Sequence, residues 1–168
     1  MRIFLGIDPG LAKTGYGVIK QDKERYRPID YGVFSTKAGN TPGERLNKIY
    51  IGICDIIDAY KPDEAGIEKL YFAKNITSAL PVAQARGVVL LALAQKNVPA
   101  FEYAPQEIKQ AIVGAGRADK SQVQELVRLI LGMQEIPKPD HAADALAAAI
   151  CHGNSMSGLS ARKKGYDK

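Results

Sequence analysis

Cysteine is scarce in this chain, occurring only at positions 54 and 151 and without a CxxC pair. Both fall in apolar helical patterns, so core packing is expected in place of a disulfide or zinc site, as suits a reducing cytoplasm. Membrane-spanning runs are missing as well: the apolar stretch 82–93 is interrupted by Gln84 and Arg86. A secretory leader is not expected, because residues 1–10 form a strand-like run ending in Asp8-Pro9-Gly10. Excess charge is modest. Of the net +5, three charges come from the end of the chain, where Arg162, Lys163, Lys164 and Lys168 face Asp167 alone. Total charge by itself therefore does not identify a nucleic-acid partner. No internal repeat occurs, and no hydroxyl or thiol lies beside a base in the manner of a covalent nucleophile.

What is present describes a globular protein of 168 residues, 46% hydrophobic and 24% charged. The expectation is a single domain over residues 1–153, followed by a flexible basic tail over 154–168. Strands are expected at 2–7, 14–20 and 29–35, forming an antiparallel meander. Thr41-Pro42-Gly43-Glu44 supplies an N-cap, a first-turn proline and a capping acid. Behind it Leu46, Ile49, Tyr50, Ile53, Ile56, Ile57 and Tyr60 keep helical spacing up to Pro62. A short buried strand at 64–68 and another at 101–103 alternate with helices at 77–95, 106–113, 120–131 and 140–151. The helix at 77–95 carries Ala, Val and Leu all round, which predicts burial on two sides, the second supplied by another subunit. The fold class is thus α/β, a mixed five-stranded sheet with three antiparallel strands followed by parallel ones, flanked by helices.

Four side chains stand out. Asp8 ends the first strand and Glu68 the fourth, and in sheets of this kind sites form at the carboxyl ends of parallel strands. Asp8 before Pro-Gly also fits an ordinary turn, and Glu68 beside Lys69 also fits a surface pair. His141 and Asp144 lie three apart, on one face of an alanine-rich helix. Asp140 is expected to be that helix's N-cap. Carboxylates in apolar runs are costly unless something positive sits between them. An oxygen-rich set of this composition suits Mg²⁺ or Mn²⁺ better than zinc. Two such ions about 4 Å apart would support in-line phosphodiester hydrolysis.

The segments Gly6-Ile7-Asp8-Pro9-Gly10, Ile67-Glu68, Gln84-Ala85-Arg86-Gly87, Lys109-Gln110-Ala111-Ile112-Val113-Gly114, Asp119-Lys120-Ser121-Gln122-Val123 and Ala142-Ala143-Asp144-Ala145-Leu146-Ala147 carry a family resemblance. In order and spacing the chain resembles the RuvC family of crossover (Holliday) junction endodeoxyribonucleases over residues 1 to about 153. The resemblance implies a ribonuclease-H-like fold and a homodimer that resolves four-way DNA junctions by paired symmetrical nicks, in recombination and repair. It implies Asp8, Glu68, His141 and Asp144 as metal-binding catalytic residues with two Mg²⁺ per subunit, Mn²⁺ substituting. At His141 well-known members carry Asp and others His; a neutral imidazole adds no negative charge, which bears on metal preference and pH response. Tyr71, with Phe72 in reserve, matches an aromatic at the junction centre, beside Lys74. Lys109, Arg117 and Lys120 are expected at DNA phosphates, and a branch-migration motor of the RuvA–RuvB type is implied as partner.

Three rivals follow from the same residues. One is a ribonuclease-H-like nuclease acting on RNA or plain duplex. Another is an actin-like phosphatase or kinase using the Asp8 loop for ATP, although that fold needs two such lobes. The third is a DNA-structure binder whose acids are structural.

Overall fold

The computed structural model describes residues 1–69, 76–114 and 117–165, with side chains as far as 156. Five strands and five helices follow in the order β1 (Arg2–Asp8), β2 (Lys13–Asp22), β3 (Arg25–Ser35), α1 (Pro42–Tyr60), β4 (Glu64–Glu68), α2 (Ile76–Gln95), β5 (Ala100–Tyr103), α3 (Pro105–Val113), α4 (Lys120–Leu131) and α5 (Asp140–Gly165). The strands lie side by side as β3-β2-β1-β4-β5. β1, β2 and β3 pair antiparallel, whereas β4 and β5 run parallel to β1. This is the mixed sheet expected from the sequence.

Alternation along the strands divides the core in two. Leu5, Ile7, Val18, Ala65 and Ile67 meet α1 and α2 on one face. Phe4 and Ile19 meet α3, α4 and α5 on the other. α1 starts as the sequence foretells: Glu44 N donates to Thr41 Oγ1 at 3.3 Å and Thr41 N donates to Glu44 Oε2 at 2.8 Å. Lys61, in the left-handed conformation, closes it.

Several boundaries differ from the sequence expectation. The β2–β3 hairpin is longer than expected, with Gln21 paired to Tyr26 and Asp22 to Arg25. Pro28 sits on the edge strand beside a register shift at Val18/Ile19, where a missing N–H is tolerated. α2 is by length and composition apolar enough to cross a membrane, which the interruptions at Gln84 and Arg86 did not suggest. Ala85, Val89, Ala92 and Leu93 nevertheless pack into the core, and Arg86 is paired with Glu102. α5 continues to Gly165, so the expected flexible tail from 154 begins as helix. Asn154 Nδ2 donates to the Ala111 carbonyl at 3.2 Å, and Ser155 Oγ donates to the Cys151 carbonyl at 2.9 Å. Asp140 is the first residue of α5 and not its cap; the Pro139 carbonyl accepts from Ala142 N and Ala143 N instead.

α5 lies almost on the sheet, and the sequence explains why. Six alanines, at 142, 143, 145, 147, 148 and 149, keep its inner face thin. Opposite them stand Gly6 and Gly15. A Cβ on Gly6 would overlap the Ala145 carbonyl oxygen, and one on Gly15 would overlap the His141 carbonyl oxygen. Backbone approach this close is possible only without side chains. It brings the start of α5 over the carboxyl ends of β1 and β4.

Candidate active site

The β1–β4 register aligns Ile7 with Ile67, so Asp8 and Glu68 end neighbouring parallel strands. Even-numbered residues of both strands face α5, which carries His141 and Asp144 one turn apart. His141 Nδ1 donates to Asp8 Oδ2 at 2.7 Å. One ligand atom each from Asp8, His141 and Asp144 lies within 4.8 Å of the others. Glu68 joins them electrostatically: burial first, then the charges of Asp8 and Asp144, push its carboxyl up to about 8. Burial, together with Asp8, also raises the Asp144 carboxyl, against the pull of Lys120.

These shifts express a shortage of positive charge. Lys120, at the start of α4, supplies some of it, with Nζ 3.4 Å from Asp144 Oδ2 and 3.2 Å from Asp140 Oδ2. Asp140 in turn accepts from Gln124 Nε2 at 3.1 Å. The hard-oxygen donor set, the spacing and the mutual repulsion all fit a divalent cation.

A hollow of about 260 Å³ opens beside the cluster. Glu68, Asp144, Lys109 and Lys120 line it, and Ile108 and Val123 add apolar wall. Lys109 thus lines the same hollow as Glu68 and Asp144. Arg117 lines a separate hollow with Ala118, Ser121 and Gln122, one short turn of chain away from Lys120. Tyr71, Phe72 and Lys74 lie outside the described residues. Sequence reasoning missed the link from Gln124 through Asp140 to Lys120. Asp140 looked like a cap because it precedes the helix pattern; only the packing of α4 on α5 shows its second use.

The match to known proteins agrees with this geometry. The family model described as crossover junction endodeoxyribonuclease RuvC matches residues 4–152.

The chain belongs to the RuvC family.

A RuvC from Treponema denticola is 60% identical over 146 residues, covering 87% of this chain and 82% of that protein. A RuvC from Chloroflexus aggregans is 53% identical over 148 residues, covering 88% and 90%. Among solved structures, RuvC of T. thermophilus in complex with Holliday junction substrate superposes with a TM-score of 0.86 at 31% identity, covering 94% of this chain and 96% of that one. The enzyme class of this chain is that of the RuvC family, crossover junction endodeoxyribonuclease, and its fold is ribonuclease-H-like.

Proposed function

We propose that this chain resolves four-way DNA junctions as a homodimer, each subunit nicking one of two strands by hydrolysis of a phosphodiester bond. The observation that carries this reading is the meeting of Asp8, His141 and Asp144 within 4.8 Å, with Glu68 near enough for burial, Asp8 and Asp144 to raise its carboxyl to about 8. Those four residues would hold Mg²⁺, two ions per subunit, with Mn²⁺ able to substitute. Such ions, when bound, activate water and steady the leaving 3′ oxygen. Asp8 and Glu68 orient the acceptor oxygens from the rigid sheet, while α5 brings His141 and Asp144 against them. The contact of Lys120 with Asp144 keeps a cation at the edge where the scissile phosphate arrives, adding transition-state charge stabilisation. Lys109 and Arg117 contact neighbouring phosphates, and Tyr71, Phe72 and Lys74 engage the open centre of the junction.

The dimer is supported by α2. Leu80 and Leu91 are 57% and 51% exposed, and Gly87, on the same stripe, has open space before it. Two copies would cover this face by close helix packing and so place two carboxylate clusters in one symmetric assembly. The nuclease unit spans 1–153, the enzyme works in the cytoplasm, and a branch-migration motor of the RuvA–RuvB type delivers the junction.

A synthetic four-way junction, the matched duplex, an RNA–DNA hybrid and ATP are to be incubated with the protein and Mg²⁺. Paired symmetrical nicks in the junction alone are expected. ATP turnover without DNA cleavage would overturn the reading. Asp8→Asn should abolish nicking and leave junction binding measurable; joint loss of both would make Asp8 a structural residue.

A further inference from the structure

A second groove touches the carboxylate cluster from the other side. It measures about 570 Å³, and its walls include Leu11, Lys13, Arg45, Pro81, Val82 and His141. The hollow beside Lys109 and Lys120 is built by α3, α4 and α5. This one is built by the β1–β2 turn, α1 and α2, and the two share no residue. No role assigned so far uses Lys13 or Arg45.

A built framework holds the turn that carries Lys13 and the side chain of Arg45. Buried Thr14 closes the turn that carries Lys13, its Oγ1 donating to the Gly10 carbonyl at 2.6 Å and accepting from Gly10 N at 3.2 Å. Thr36 N donates to the Ala12 carbonyl at 2.9 Å, and Thr36 Oγ1 donates to the Leu11 carbonyl at 2.5 Å. The same Thr36 oxygen accepts from Arg45 Nε at 2.8 Å. One threonine thus ties the turn to α1 and fixes the plane of the Arg45 guanidinium.

Arg2, Arg86, Lys96, Lys120 and Arg128 all pair with acids. Among the described residues no ion pair involves Lys13 or Arg45. A half-buried guanidinium anchored by a hydroxyl keeps its terminal nitrogens for an incoming anion, and a planar fork suits phosphate. Leu11, Pro81 and Val82 add an apolar wall against which sugar faces can lie.

We propose that this groove seats the backbone of the cut DNA strand where it leaves the carboxylate cluster, with Lys13 and Arg45 on successive phosphates. The strand then crosses the site from the Lys109–Lys120 hollow to the Lys13–Arg45 groove, gripped on both flanks of the scissile bond. This assignment rests on the reading that the cluster cuts DNA. It concerns which residues hold the strand, so the two can fail separately.

The test compares the wild-type protein with Lys13→Gln, Arg45→Gln and the double variant. Binding of a synthetic four-way junction is measured without divalent ions, and nicking with Mg²⁺. If the wild type does not nick the junction, the nuclease reading falls and this assignment with it. If it nicks, the wild-type advantage over the double variant should shrink about tenfold as salt rises from about 50 to about 200 mM, the loss of two phosphate contacts. Neutral methylphosphonate linkages, walked one at a time along the cut strand, should weaken wild-type binding on one side of the cut and leave the double variant indifferent there. Equal salt dependence, or equal response of both proteins to every neutral linkage, overturns the assignment. A salt effect without any position-specific linkage effect also overturns it, because the two charges would then act only as a general field. Should Arg45→Gln fail to fold, Lys13→Gln alone changes an exposed side chain and should show about a three- to fourfold shift over the same salt range.

Discussion

The Glu68 carboxyl shows how this site sets stability against function. Raised to about 8 by burial and by Asp8 and Asp144, it keeps a proton at neutral pH unless a cation takes the proton's place. Glu68→Gln should therefore abolish nicking, yet leave the metal-free protein at least as heat-stable as the wild type above pH 7, since the amide cannot ionise into its neighbours. A calorimetric melt that falls by several degrees would show that Glu68 is needed to hold the fold. Asp140 allows a finer test. Lys120 and Asp140 are 57% and 63% exposed, so solvent weakens their pairing, and Asp140→Asn should slow nicking by about fivefold at most with unchanged junction affinity. A loss as deep as that of Asp8→Asn would place Asp140 among the metal-binding residues. Asp8, Glu68 and Asp144 were legible in the sequence because a carboxylate inside a small, apolar run demands an explanation. Asp140 was not. Its partners come from α4, and nothing local distinguishes a helix-start acid that caps from one that reaches across to a lysine.

Elements tell a similar story. Thr41-Pro42-Gly43-Glu44 announced α1, because a capping box is a local device whose partners lie three residues apart. The β2–β3 hairpin extends past the runs at 14–20 and 29–35, because Gln21, Asp22, Arg25 and Arg27 pair through their backbones and carry no apolar alternation. α5 was recognised as a helix, but its depth was hidden. The purpose of Gly6 and Gly15 is visible only with the α5 backbone lying on them. Gly6→Ala should cost about 3 kcal/mol or more, because its methyl meets the Ala145 carbonyl backbone and neither side can step aside. Chemical denaturation that shows a change below 1 kcal/mol would mean α5 does not ride on this glycine. Exposed α2 carries the opposite test. Leu80→Glu combined with Leu91→Glu removes an apolar face and no core contact, so the single chain should stay folded while sedimentation at micromolar concentration reports monomer. A dimer that survives both charges would have to use another face.

Across the whole molecule, α5 joins two ionisable clusters at opposite ends of the sheet. At the far end from the carboxylates, buried His152 receives the Tyr103 hydroxyl at Nδ1 (2.8 Å) and gives its Nε2 proton to Glu64 (2.8 Å). Glu64 is also paired with Arg2 at 2.7 Å, and His152 stacks on Phe101 and meets Phe4 edge-on. A neutral imidazole satisfies every partner in this arrangement. Burial pulls its pKa below the ordinary value of 6.5, outweighing the opposite pull of Glu64. The unfolded chain therefore takes up this proton first. Stability is full above about pH 6.5 and declines as the pH falls towards the depressed folded value. Glu68 works in the other direction: its folded pKa, about 8, exceeds the ordinary value of 4.5, so the metal-free fold loses stability as the pH rises between them. A divalent cation cancels only the Glu68 effect, because it replaces that proton and is remote from His152. The gain in melting temperature on adding Mg²⁺ should accordingly widen from pH 6 to pH 8, in a scan of wild-type protein with and without the ion. In Glu68→Gln the gain should lose that pH dependence, while the acid-side decline remains. His152→Gln should do the reverse, flattening the acid side and leaving the magnesium gain as it was. A magnesium gain that stays constant across this range in the wild type would mean no proton leaves the cluster when the cation enters, and the charge argument for the site would fail.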